Sequence, residues 1–225
     1  MGRDNQPKAR QRKHLERKQN RRASYDRILI VSEGSKTEPQ YFNEIRSAYR
    51  LHTANVEVRP CETGTAPIQV VEYAHDLFVN GDTHKRIQPR AFEKVYALFD
   101  RDDHDSYFPA LGKAHSLDGK LRNDSKKAVQ FQAIASIPCF ELWLLLHFKE
   151  DIAAPIHRDE VVTRLKRHIS GYDKGVNGTF AATSGNLPTA IQKAEQLAQA
   201  YNAHTDPMPY TGVVELVKLM IELKN

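Results

Sequence analysis

The sequence has little of what defines several large classes of protein. It contains only two cysteines, Cys61 and Cys139, which form neither zinc-site spacing nor a disulfide framework, so we expect a reducing, cytoplasmic setting. No apolar run approaches the roughly 20 residues of a membrane span, and the basic beginning lacks the apolar core of a signal peptide. We therefore expect no membrane association. The nucleotide-binding patterns GxxxxGK[ST] and GxGxxG are absent as well.

Positive charge is concentrated at the beginning of the chain. Residues 1–27 contain ten Lys/Arg and three Asp/Glu, whereas the rest of the chain contains 23 and 25. The formal net charge of +5 therefore belongs to a basic arm, residues 1–26, and not to the body of the protein. Such an arm is either a solvated tail or a segment that binds nucleic-acid phosphates without regard to sequence.

Short apolar runs alternate with amphipathic segments over residues 27–150. Four runs have the composition of buried strands: residues 27–32, 55–61, 94–100 and 128–136. Their alternation with helical patterns predicts an α/β domain with a Rossmann-like, mostly parallel sheet. Residues 151–225 predict a helical portion packed on that domain. Its helices are expected over residues 158–169, 187–201 and 211–223, with a Gly-rich loop over residues 170–186.

Acidic residues follow two of the predicted strands. Glu33 follows the first, and Asp100 and Asp102 follow the third. Ligands of open α/β sheets bind at the carboxyl ends of the strands, and residues two apart in an extended strand face the same way. If the two strands are neighbours, Glu33 therefore faces the same site as the aspartates. Carboxylates at such an edge favour one or two Mg²⁺ ions, or Mn²⁺ in their place, with water and phosphate oxygens completing the coordination.

Four other polar residues allow a structural interpretation, and two of them, Lys36 and Glu141, a functional one as well. Lys36, beside Glu33, is either a surface lysine or a phosphate contact. Thr37 predicts the N-cap of the next helix, and Glu38 reads first as favourable charge at that helix N-terminus. Glu141, within the apolar stretch 138–148, is either a helix cap or an acidic group that supports a metal ion.

Three motifs together resemble the RloB-like family. They are EG-x-x-TE-x-x-Y over residues 33–41, the DxD of residues 100–102 and PCFE-x-WLLLH over residues 138–147. The first two also resemble the Toprim domain of topoisomerases, primases and nucleases. The likeness runs from about residue 27 to residue 147. Ile137 departs from the pattern, which has a polar Asn before the proline.

This resemblance implies an enzyme, a Mg²⁺-dependent nuclease that cleaves DNA or RNA phosphodiesters in prokaryotic antiviral defence. It implies that Asp100 and Asp102 are metal ligands, Glu33 a ligand or general base, and Glu141 support for a second ion. It also implies a separately encoded partner ATPase, since this chain has no nucleotide-binding motif of its own. With Lys36 at the scissile phosphate, these residues form the predicted active site.

Two other functions fit the same sequence. One is a non-catalytic nucleic-acid-binding or regulatory subunit of an ATPase complex. The other is an enzyme that makes or hydrolyses small nucleotides. The sequence leaves open whether the substrate is DNA or RNA, how many ions bind, what triggers activity and which oligomer forms.

Overall fold

A five-stranded sheet forms the centre of the protein. The computed structural model describes residues 26–52, 55–152 and 154–223, so the basic arm lies outside the described residues except for Asp26. The strands are β1 (Ile28–Ser32), β2 (Val56–Pro60), β3 (Lys94–Asp100), β4 (Gln130–Ile137) and β5 (Tyr210–Thr211). Their order is β2-β1-β3-β4-β5. The first four are parallel and β5 is antiparallel to β4, which confirms the predicted Rossmann-like, mostly parallel α/β fold.

Eight α-helices accompany the sheet in the described ranges. They are α1 (Thr37–Ala48), α2 (Pro67–Asn80), α3 (Tyr107–Leu117), α4 (Glu141–Leu145), α5 (Arg158–His168), α6 (Thr179–Thr183), α7 (Leu187–Ala200) and α8 (Val213–Glu222). None of the helices in this part of the chain has the length and apolar character needed to cross a membrane.

Strand β1 shows why the sheet residues are so apolar. All five of its residues are buried. Ile28 and Ile30 belong to the core cluster on the α1 and α4 face, while Leu29 and Val31 belong to the cluster on the α2 and α3 face. A strand covered on both faces has no position for a solvated side chain, so it reads as a continuous apolar run.

The C-terminal portion is joined to this core. Residues of α5, α7 and α8 lie in the same hydrophobic cluster as α1 and α4, and β5 extends the sheet beyond β4. The stretch 170–186, predicted as a loop, contains α6 and a 3₁₀ turn at Ser184–Asn186. That prediction was wrong because Phe180 is buried, with its ring 5.6 Å from that of Tyr41, and a single aromatic anchor gives no periodic signal.

Candidate active site

The carboxyl ends of β1 and β3 bring two predicted site residues together. Ser32 pairs with Leu98 across the parallel ladder, and the Glu33 N–H continues the pairing by donating to the Leu98 carbonyl at 2.8 Å. This places Glu33 beside the last residue of β3. Its Oε2 accepts a hydrogen bond of 3.0 Å from the Asp100 N–H. The two acids therefore meet at one edge of the sheet, as neighbouring strands predict.

Arg158 joins Asp100 and Asp102. One guanidinium nitrogen, Nη2, lies 2.7 Å from Asp100 Oδ2 and 2.7 Å from Asp102 Oδ1. The other oxygen of Asp100, Oδ1, accepts a hydrogen bond of 2.9 Å from the Phe140 N–H. Strand β3 ends at Asp100, so the two aspartates share a side because Arg158 connects them, not because the strand continues.

Two further acids lie behind these groups. Glu141 is 3% exposed, and its Oε1 accepts a hydrogen bond of 3.2 Å from the Tyr172 hydroxyl. Glu38 is buried at the start of α1, and its pKa is raised to about 7, first by burial and then by the charges of Glu141 and Glu33. Burial, followed by the charges of Glu38 and Glu33, also raises the pKa of Asp100 well above its usual range. The edge of the sheet is thus a crowded acidic cluster.

Close backbone packing holds this corner together. A Cβ added to Gly34 would overlap Glu38 Oε2, so a larger residue at this position would require that carboxylate to move. Lys36, not Thr37, occupies the N-cap position of α1, and it makes no side-chain capping bond. The prediction that Thr37 caps this helix was therefore wrong. Thr37 Oγ1 instead accepts a hydrogen bond of 3.1 Å from the Gly175 N–H. This bond connects the C-terminal portion to the start of α1.

A cavity of about 450 Å³ opens above the cluster. Five acids face it: Glu33, Glu38, Glu62, Asp100 and Glu141. Three cations face it as well: Lys36, Arg158 and Lys174. Asp102 is not part of the lining and is linked to it through Arg158. A recess lined by both acids and cations has the charges needed to hold a phosphate group together with a divalent ion.

The extent of this architecture matches a known family. The family model described as RloB-like protein matches residues 28–220, from β1 into α8. The chain belongs to the RloB-like protein family. Comparison with curated proteins and with solved structures gives no match. The family match extends past residue 147, where the resemblance of the three motifs ends, and it includes Arg158, Tyr172 and Lys174.

The acids of this RloB-like chain have the donor atoms and the charge that Mg²⁺ prefers, but their spacing is not that of a metal site. They supply hard oxygen donors, and burial, followed by their mutual repulsion, raises the pKa of both Asp100 and Glu38; a bound cation would relieve the repulsion. Over residues 26–52, 55–152 and 154–223, however, no three His, Cys, Asp or Glu side chains are arranged to hold a metal ion. Arg158 contributes to this spacing, because its guanidinium contacts both Asp100 and Asp102.

Two other reactive groups of the RloB-like motifs are structural. His147 is 1% exposed, and its Nδ1 lies 3.0 Å from the Trp143 carbonyl oxygen. Burial lowers its pKa to about 4, so the ring is neutral at physiological pH. Cys139 is fully buried, and burial raises the pKa of its thiol well above the usual range. A buried thiol of this kind does not form the thiolate that nucleophilic catalysis needs.

Sequence reasoning missed three groups of the site. Arg158, Tyr172 and Lys174 come from the C-terminal portion, where the pattern indicated only a helix face and a Gly-rich stretch. The amphipathic pattern does predict the helix that begins at Arg158. It does not predict that Arg158 contacts the end of β3.

Proposed function

We propose that this RloB-like chain is a Mg²⁺-dependent nuclease of the Toprim type, which hydrolyses phosphodiester bonds in DNA or RNA. The observation that carries the proposal is the contact of Glu33 with Asp100 at the carboxyl ends of two neighbouring parallel strands. Beside this contact lies a cavity whose lining also includes cationic side chains. Ligand sites of open α/β sheets lie at this edge.

Each side chain has a distinct part in this proposal. Asp100, Asp102 and Glu33 would hold the ion, with Glu141 available to a second one. When bound, Mg²⁺ polarises the phosphodiester and neutralises the charge that develops during in-line displacement. Lys36 and Lys174 face the same cavity, where an ammonium group attracts and orients a phosphate. Where it is not engaged as a ligand, Glu33 would accept a proton from the attacking water.

The wider role rests on the family resemblance. We place the nuclease in prokaryotic antiviral defence, acting in the cytoplasm with a separately encoded ATPase that controls it. The basic arm, residues 1–26, supplies sequence-independent attraction to nucleic acid, so binding weakens steeply as salt is raised.

One observation favours the rival function, a non-catalytic nucleic-acid-binding or regulatory subunit. Arg158 already pairs with both Asp100 and Asp102, and within the described ranges no three potential ligands are arranged for a metal ion. A protein that kept the fold without the chemistry would need a permanent counter-ion of this kind. Tight nucleic-acid binding that survives EDTA, with no cleavage even beside the ATPase, would favour this rival.

Metal binding is the first test, because it does not depend on a trigger or a partner. Mn²⁺ and Mg²⁺ binding is measured by calorimetry for the wild type, Asp100→Ala/Asp102→Ala and a matched control, Asp103→Ala/Asp105→Ala. The control removes two acids from the same loop, where both side chains are exposed. We expect binding in the wild type and the control, and its loss in the Asp100/Asp102 variant. Equal binding in all three would remove the basis of the active-site assignment.

Cleavage is the second test. Labelled single- and double-stranded DNA and RNA are incubated with the chain and Mg²⁺, with and without the partner ATPase, and the products are resolved by length. We expect cleavage that Asp100→Asn abolishes, since this change removes one charge and keeps an oxygen that can accept from the Phe140 N–H. Cleavage that continues at the wild-type rate in Asp100→Asn would show that the activity lies elsewhere.

A further inference from the structure

Arg158 holds an unusual position for an arginine beside an acidic cavity. A single nitrogen, Nη2, contacts a carboxylate oxygen of Asp100 and one of Asp102, each at 2.7 Å. An arginine that bound one carboxylate would present two nitrogens to its two oxygens. Here one nitrogen lies between two separate carboxylates, which is a bridging position.

A bridging Mg²⁺ would need the same position. It binds carboxylate oxygens at about 2.0–2.1 Å and leaves no room for a nitrogen between them. Coulomb repulsion also opposes a divalent ion and a guanidinium on the same pair of oxygens. The ion and the guanidinium therefore exclude each other from this pair of oxygens, Asp100 Oδ2 and Asp102 Oδ1.

We propose that Arg158 is a resident counter-ion that a divalent cation must displace, and that Arg158 thereby sets the metal affinity of the site. The inference rests on the nuclease function proposed above and adds a residue outside the strand-end motifs. In the metal-free protein Arg158 keeps the two aspartates together and offsets part of their negative charge. When a cation takes its place, the guanidinium turns into the cavity that it already lines, where it can bind a phosphate oxygen of the substrate.

The surroundings of Arg158 permit this exchange. Its side chain is 31% exposed, so part of it already contacts solvent. In the described part of the chain its polar contacts are those with Asp100 and Asp102. Asp100 keeps its bond from the Phe140 N–H when Arg158 leaves, so the carboxylate stays in place to receive the ion.

The test is Mn²⁺ binding, which does not require activity. Calorimetric affinities are compared for the wild type, Arg158→Gln and the control Arg164→Gln, which removes a charge from the same helix, where Arg164 pairs with Glu150 and Glu160. Removing one positive charge at contact distance should tighten Mn²⁺ binding by about tenfold or more in Arg158→Gln. Arg164→Gln should bind as the wild type does.

A second measurement uses the wild type, so that it stands even if Arg158→Gln fails to fold. The NMR signal of the Arg158 guanidinium, assigned by its loss in Arg158→Lys, is followed as Mg²⁺ is added. If Mg²⁺ displaces Arg158, the chemical shift of this signal should change with the same dependence on Mg²⁺ concentration as metal binding.

The outcomes separate the two proposals. Equal or weaker Mn²⁺ binding in Arg158→Gln, with binding lost in Asp100→Ala/Asp102→Ala, would overturn the exchange and leave the nuclease function standing. A guanidinium signal that Mg²⁺ saturation leaves unmoved would have the same meaning. No metal binding in any chain, Arg158→Gln included, would overturn the exchange together with the metal-dependent function.

Discussion

Glu38 carries a charge that the fold disfavours at neutral pH, and this gives a prediction with a definite size. Its side chain is buried among other acids, and its pKa rises from 4.5 to about 7, first because of burial and then because of Glu141 and Glu33. A tenfold change in acidity corresponds to about 1.4 kcal/mol. Ionising Glu38 therefore costs the folded state about 3 kcal/mol more than the unfolded chain.

The direction of the change in stability with pH depends on whether the folded or the unfolded state holds the Glu38 proton. Between pH 4.5 and about 7 the folded protein keeps the Glu38 proton while the unfolded chain has released it. The stability that this group contributes is thus full below pH 4.5 and is lost as the pH rises through about 7. Glu38→Gln has no charge to ionise, so we expect it to be more stable than the wild type by about 3 kcal/mol at about pH 8, and by about 1 kcal/mol at about pH 5.

Urea unfolding measures this difference directly. The single tryptophan, Trp143, is fully buried, so its fluorescence reports the loss of the core. The titrations are run in EDTA at both pH values, with Glu72→Gln, an exposed acid of α2, as the control that should follow the wild type. A stability gain of Glu38→Gln that is the same at both pH values would refute the electrostatic origin. If the cluster holds Mg²⁺ as proposed, adding the ion should reduce the gain at about pH 8.

Two further changes test other parts of the structure. His147 has its pKa lowered from 6.5 to about 4 by burial, so the wild type should lose about 3 kcal/mol of stability as the pH falls through that window. His147→Gln should lose less in the same urea assay, and a ring that titrates near its ordinary pKa by NMR would contradict this. Gly34→Ala should cost about 1–3 kcal/mol, because its Cβ would overlap Glu38 Oε2. The cost should shrink in Gly34→Ala/Glu38→Ala, and additive effects in this double-mutant cycle would contradict the contact.

The strand-end geometry could be predicted because it depends on local pattern and on one general rule. The apolar runs before Glu33 and Asp100 mark buried strands, and parallel strands place their carboxyl ends at one edge of the sheet. The contact of 3.0 Å between these residues confirms that reasoning. Their catalytic and metal-binding roles stay predictions.

The rest of the site depends on contacts between distant segments. Arg158 lies 58 residues from Asp100, and Tyr172 lies 31 residues from Glu141. No periodicity of a single segment encodes such a contact, because it is fixed by how the C-terminal portion packs on the sheet. The burial of Glu38 among other acids could not be predicted for the same reason. Its position in the first turn of α1 predicted a favourable charge at the helix N-terminus, but nothing in the local pattern indicates that Glu141 lies near it.

The order of these groups along the chain has a consequence for synthesis. The ribosome makes all five acids of the cavity, the last of them Glu141, before it makes Arg158 and Lys174. A nascent chain that stops short of Arg158 carries the acidic edge of the sheet with Lys36 as its one lining cation among the described residues. On the function proposed here, the acidic groups of the site are therefore complete before two of its three lining cations exist, and the full set of charges is present only after translation has passed Lys174.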